Sequence, residues 1–149
     1  MAKPSASFDF RAAILLCIIT LAGCDRGPAL VPAGGVVKYK HAPIPGADVV
    51  LVPDGDGQPA IGRTDEKGEF TLTTGGRKGA LIGSYKVSIT AARPKRELSP
   101  TEAVAMSSEQ IAANREDLIP IKYNNPVSSE LTATVSRDPT ANKFVFDLN

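Results

Sequence analysis

Five short stretches of this chain place apolar side chains at every second position. They are Ala47-x-Val49-x-Leu51, Phe70-x-Leu72, Tyr85-x-Val87-x-Ile89, Leu131-x-Ala133-x-Val135 and Phe144-x-Phe146-x-Leu148. A period of two is the signature of a β-strand with one face buried and the other in water. A helix cannot bury such a set, because its neighbours on one face recur every three or four residues. The segments between these stretches are rich in turn formers, and the chain holds 13 Gly and 12 Pro. Many short strands joined by frequent turns give an antiparallel sandwich rather than a helical fold.

The segment Thr64 to Thr74 shows the pattern at its clearest. Asp65 and Gly68 suit a tight turn, because a short carboxylate bonds backbone N–H groups two residues on and Gly accepts positive φ. Phe70, Leu72 and Thr74 then face one way, and Glu69, Thr71 and Thr73 the other. Further strands are expected over Gly35–Lys40, Ala47–Val52, Ala60–Thr64, Ser84–Ala91, Glu130–Arg137 and Lys143–Leu148. Val50 and Val52 make both faces of the second of these partly apolar, which places it at the centre of its sheet. Ile121-Lys122-Tyr123 reads as a short edge piece. Asp138 to Asn142 reads as the last hairpin loop. With no Trp and only five Phe and three Tyr, the core rests on Val, Ile, Leu and Ala.

Residues 93–120 break the alternation and read as a surface insertion. Ser99-Pro100-Thr101-Glu102 is a capping-box signature with Pro at the first helical position, so a helix is expected from Pro100 to about Arg115.

Residues 1–23 have the form of a signal peptide. Lys3 and Arg11 supply the positive region, and Ala12 to Ala22 is an apolar run too short to span a bilayer comfortably. It ends Leu21-Ala22-Gly23-Cys24, which resembles the bacterial lipobox. That resemblance implies cleavage before Cys24, diacylglycerol on its thiol and acylation of the new N-terminus. Several acyl chains anchor a protein stably, since each buried methylene contributes about 0.8 kcal/mol. The expected location is therefore the bacterial cell membrane, on its periplasmic or extracytoplasmic side. Residues 24–34 then form the lipidated N-terminus and an extended, structureless tether from Arg26 to Gly34, and 35–149 the sandwich domain. Cys17 leaves with the leader, so the mature domain has neither a free thiol nor a disulfide. The leader also removes two of the 17 basic and one of the 16 acidic residues, leaving the charges balanced. That balance argues against nucleic acid as a partner, because binding phosphates needs a basic surplus.

The order of motifs also resembles a family. Gly35-x-Val37 is followed by Pro43-Ile44-Pro45-Gly46-Ala47-x-Val49-x-Leu51-x-Pro53 and by Gly62-x-Thr64-Asp65-x-x-Gly68-x-Phe70-x-Leu72-x-Thr74. Next come Gly83-x-Tyr85-x-Val87, Ile121-x-Tyr123, Leu131-x-Ala133-x-Val135 and Asn142-x-Phe144-x-Phe146-x-Leu148. This series is similar to the carboxypeptidase regulatory-like domains, also called transthyretin-like or prealbumin-like, and in particular to small lipoproteins of planctomycete bacteria. It covers nearly all of residues 35–148 apart from the insertion. It implies a β-sandwich of about seven strands, transthyretin-like or Ig-like, and no activity of its own. His41 with Ala42 departs from the family, which often has Gly in this first turn.

Candidate chemistry is sparse. His41, the single histidine, lies on a turn with no nucleophile or second ligand near it in sequence. Asp54 and Asp56 alternate with Gly and are weak candidates for Ca²⁺, but a calcium loop counted from Asp54 would need Glu at its twelfth position, where Asp65 stands. Gly75-Gly76-Arg77-Lys78-Gly79 lacks the spacing of a phosphate loop. Arg93, Lys95 and Arg96 form a small basic cluster that could touch anionic headgroups. Hydroxyisourate hydrolases share the transthyretin-like fold but end in a characteristic motif. This chain ends Phe146-Asp147-Leu148-Asn149 without it. The expected function is a non-catalytic binding or structural module of the cell envelope, held to the membrane through Cys24 and facing a protein or glycan partner, with no cofactor. The alternative is a periplasmic protein binding a small ligand or Ca²⁺.

Overall fold

The computed structural model describes residues 29–149, so the signal peptide and Cys24 lie outside the described residues. Two sheets face each other. The larger is antiparallel throughout and runs β11 (Leu131–Val135), β8 (Gly83–Thr90), β3 (Asp48–Pro53), β4 (Ala60–Arg63), β6 (Thr73–Thr74), β7 (Arg77–Lys78). The smaller is centred on β1 (Gly34–Tyr39). On one side β1 pairs with β12 (Lys143–Leu148); on the other it pairs with β5 (Glu69–Thr71) over Gly34 to Val36 and with β2 (Ala42–Pro43) over Lys38 and Tyr39. The all-β sandwich expected from the alternation is present, and β3 lies at the centre of its sheet between β8 and β4.

The inward residues are those the alternation selects. Val49, Leu51, Leu72, Val87, Ile89 and Leu148 are fully buried, and Phe146 stacks on Phe70 with ring centroids 6.1 Å apart. Each such side chain contributes roughly 1.5–3 kcal/mol by leaving water. Tyr85 is also buried; its hydroxyl donates to the Leu81 carbonyl at 2.7 Å, and burial pushes its phenol above the usual range. The outer side of β3 is only partly covered, with Val50 half-buried and Val52 exposed.

Connectivity departs from the expected hairpins in four places. First, Thr64 to Thr74 is not one strand of a hairpin. Glu69–Thr71 joins the small sheet and Thr73–Thr74 the large one, so the chain changes sheets at Leu72. Gly62 makes the crossing possible, since a Cβ there would stand 2.9 Å from the Thr71 carbonyl oxygen. Second, the Asp138–Asn142 loop joins strands in different sheets. It holds a short 3₁₀ turn, Pro139–Ala141, and β12 then lies parallel to β1. Third, Ile121–Asn124 is a 3₁₀ turn, not an edge strand. It buries Tyr123, whose hydroxyl lies 3.1 Å from both the backbone N and O of Asn149. Fourth, the tether is packed from Val31 onward. Val31 exchanges backbone bonds with Ala80 at 2.9 and 3.0 Å, and Ala33 is buried with its carbonyl accepting from Leu72. Backbone partners supply the order that a Pro- and Gly-containing segment lacks by itself.

The insertion rises from a two-stranded ribbon, β9 (Ala92–Pro94) with β10 (Arg115–Asp117). It carries two helices, α1 (Pro100–Ala105) and α2 (Ser108–Ala113), in place of one continuous helix. Met106 is extended and Ser107 caps the second helix, bonding Gln110 as Ser99 bonds Glu102. Neither helix buries a residue.

Register fixes the two ends of the sandwich. The starts of β1, β8 and β12 and the finish of β3 and β11 gather with Val31, Ala80 and the loops at 54–58, 75–82 and 136–142. The other end carries the Lys40–His41 reversal, the Thr64–Gly68 turn, the insertion and Asn149.

Candidate functional site

An open cleft of about 870 Å³ lies over the outer face of the small sheet. Its floor is the start of β1. Gly34, on the outer face with Val36, leaves a trough there because it carries no side chain, and Gly35 beside it belongs to the inner face with Val37. Neither position admits one: a Cβ on Gly34 would overlap the Phe70 carbonyl oxygen, and on Gly35 the Phe144 carbonyl oxygen. The walls are Thr71 and Glu69 on β5 and Lys143 and Val145 on β12, with Arg63 and Asp65 at one rim.

Most of the polar groups around this cleft are committed to the fold. Arg63 holds Asp48 at 3.0 Å. Asp65 Oδ1 accepts from the N–H groups of Lys67 and Glu69 at 2.8 and 2.9 Å, the Asx-type closure the turn requires. Thr64 beside it is buried; its hydroxyl donates to the Ile44 carbonyl and accepts from the Ala47 N–H, both at 2.7 Å. Asn142, 1% exposed, forms the cleft's base. Its Oδ1 accepts from Ser136 N–H at 2.8 Å, and its Nδ2 donates to the carbonyls of Ser136 and Pro32 at 3.0 and 3.3 Å. Glu69 and Lys143 are free of ion pairs among the described residues.

The expected site residues do not converge. His41 stands at the opposite end from Val31, its side chain 85% exposed and bonded to Asp147. Asp54 and Asp56 lie on an exposed loop at the Val31 end. Among the described residues no group of three or more His, Cys, Asp or Glu is placed to hold a metal ion. Arg77 and Lys78 are exposed on β7. The basic cluster on the insertion is partly neutralised, because Arg93 pairs with Glu116 at 2.9 Å and Arg96 with Glu102 at 3.2 Å. The carboxyls held below their usual range lie at the surface. Glu102 is lowered by its bonds from the Ser99 N–H and hydroxyl and by Arg96, and Asp138 by its bonds from Thr140.

Asn142 is the one buried polar side chain at the cleft that its local sequence does not reveal. It follows a Pro-containing loop as any turn Asn does, and its partner Pro32 is 110 residues away. The doubled glycine of Gly34-Gly35 at the start of a strand is a signal for close backbone approach that the sequence does carry. Among the described residues no helix is long and apolar enough to cross a membrane. Set against known protein families, curated proteins and solved structures, the chain matches none of them.

Proposed function

We propose that this protein is a non-catalytic lipoprotein of the bacterial cell membrane. Cys24 carries the lipid, and a carboxypeptidase regulatory-like sandwich on the extracytoplasmic side serves as a binding or structural module of the envelope. The observation that carries this reading is a short separation. Only residues 25–30 stand between Cys24 and Val31, the first described residue that is bridged to the sandwich, at Ala80. At full extension those residues reach roughly 25 Å. A link that short keeps the sandwich against the membrane and gives it little freedom to search away from it. The cleft supports a binding role over a catalytic one, because Arg63, Asp65 and Asn142 are spent on holding backbone and neighbours. The insertion's arginines are likewise paired, so headgroup contact by that cluster is not part of the proposal.

The test is Cys24→Ala in the expressing cell, with labelled fatty acid. Loss of label and release from, or stalled processing at, the membrane is the expected result. Retention of the variant with an unchanged mass would refute it. One observation favours a second reading as a small-ligand binder, namely the cleft's size with Glu69 and Lys143 on its two walls. A thermal-shift screen of small anions, cations and sugars, run beside a pull-down from solubilised envelope, separates the two. A ligand shift abolished by Lys143→Ala, with no captured protein, selects the second.

A further inference from the structure

β12 is the outer strand of the small sheet, and its far edge has no partner among the described residues. The ladder to β1 is bracketed by bonds from Gly34 N–H to the Asn142 carbonyl and from Lys40 N–H to the Leu148 carbonyl. Even-numbered residues of β12 therefore turn their backbone groups toward β1. Lys143, Val145 and Asp147 turn theirs outward. The same three residues show their side chains on the outer face, all exposed, with Val145 at 67%.

We infer that this edge is a docking surface for a second copy of the chain, with β12 pairing antiparallel to its counterpart about a two-fold axis at Val145. The sequence of the edge complements itself. An antiparallel register centred on Val145 sets Val145 against Val145 of the other copy and each Lys143 against the other copy's Asp147. Each of the three facing pairs exchanges two backbone bonds, so all six outward groups of each strand are satisfied. A shift of register would set Lys143 or Asp147 against Val145, or like charge against like. Asp147, whose carboxylate also holds His41, has Lys38 beside it on β1, so the other copy's Lys143 completes a row of alternating charge. On the inner face Phe144 is half-buried at the open edge and stacked on Phe146 at 6.0 Å. The same register brings the other copy's Phe146 opposite Phe144 and covers it.

A single strand pair is smaller than a standard interface, so the dimer depends on concentration. Confinement to a surface raises that concentration. This consequence, unlike the pairing itself, rests on the anchoring proposed above. The two-fold axis is normal to the small sheet, which puts the two Val31 ends at opposite ends of a flat slab. Both short links reach one bilayer only when the slab lies along it.

The experiment is sedimentation equilibrium of the full chain in density-matched detergent, up to about 1 mM, the order of concentration that tethering imposes. It reads pairing whether or not Cys24 carries lipid. The wild type is expected to dimerise reversibly. Val145→Lys, which sets two like charges face to face at the axis, should weaken the dimer more than about tenfold while leaving the circular dichroism unchanged. Lys143→Asp should weaken it similarly. A wild type that stays monomeric overturns the inference and leaves Lys143 and Asp147 as guards against edge pairing. A dimer that survives Val145→Lys also overturns it, because the contact then lies elsewhere.

Discussion

His41 Nδ1 lies 2.6 Å from Asp147 Oδ2, and the His41 backbone N–H donates to Asp147 Oδ1 at 3.2 Å. This double contact ties the first reversal of the chain to its last strand. The reversal is a two-residue loop between Tyr39 and Ala42, and both its residues, Lys40 and His41, have positive φ of 50° and 67°. That is the region the favoured hairpin loops need and that Asn-Gly fills without strain. Here it is filled by two residues with full side chains; Asp147 holds His41 there, and the Leu148 carbonyl accepts from the Lys40 N–H.

Lys40 makes no side-chain hydrogen bond or ion pair among the described residues, and its ammonium, 5.2 Å from the centroid of the Tyr39 ring, gains only about 0.5 kcal/mol to offset a left-handed conformation. Lys40→Asn keeps the backbone bond to Leu148 and relieves a conformation that costs an ordinary residue about 1 kcal/mol. The variant should be more stable by roughly 0.5–1 kcal/mol in urea denaturation. Equal or lower stability would show that the loop bears no strain at Lys40.

Asp147 also makes stability depend on pH. Desolvation raises its pKa, but the bonds from the His41 side chain and backbone and the charges of His41 and Lys38 outweigh that and hold it below the usual carboxylate range. A carboxyl lowered in the folded state stabilises above its unfolded pKa of about 3.9, and the contribution is lost as pH falls through the folded value. Glu102 and Asp138 act in the same direction. The gap in stability between wild type and Asp147→Asn should therefore be full at neutral pH and close below about pH 4. A gap that stays constant down to acid pH would remove Asp147 as its source.

Asn142 should be the most sensitive polar residue in the domain. Asn142→Ala removes four hydrogen bonds and leaves the half-buried Ser136 N–H without its partner. A group left unsatisfied costs about 1–3 kcal/mol, and the remaining bonds, whose partners are half-buried and within reach of water, add about 1 more between them. A loss of about 2–4 kcal/mol in denaturant melting is expected. A loss under about 1 kcal/mol would mean that water replaces the amide.

Much of the core was legible because a period of two survives in any sheet. Ala47, Val49, Leu51, Tyr85, Val87 and Ile89 are buried as their spacing requires. The pairing partners were not legible, for a physical reason. Alternation sorts side chains between faces and is blind to which strand accepts the backbone bonds, so Phe70, Leu72 and Thr74 keep their pattern although the chain changes sheets among them. Val31 and Asn142 were hidden because their partners are remote in sequence. The second helix of the insertion was readable, since Ser107 and Gln110 repeat the signature of Ser99 and Glu102. The cleft was half legible, through Gly34 and Gly35.

Those glycines can be tested against a third. Gly35→Ala forces a Cβ onto the Phe144 carbonyl, where only backbone can give way, and should cost about 3 kcal/mol or more. Gly55→Ala, with nothing within 4 Å of its Cβ, should change stability by less than about 0.5 kcal/mol. If both variants melt alike, the close approach of β1 and β12 is wider than described.

The insertion should be separable from the fold. Its base is closed at Lys95, whose N–H donates to the Asn114 carbonyl at 2.7 Å, and at Arg96, which exchanges two bonds with the Asn114 side chain at 3.2 and 3.0 Å. Beyond that clamp, α1 and α2 bury nothing, and Val104 is 89% exposed. Below it, Ile119 and Tyr123 return to the core. Replacing residues 97–113 with a two-residue Asn-Gly loop should therefore keep the ribbon. It should change stability by less than about 0.5 kcal/mol, the shorter loop offsetting the lost helix caps. If the helices serve a partner, the trimmed protein should melt like the wild type and lose that partner in a pull-down from solubilised envelope. A large fall in stability would instead show that α1 and α2 brace the sandwich.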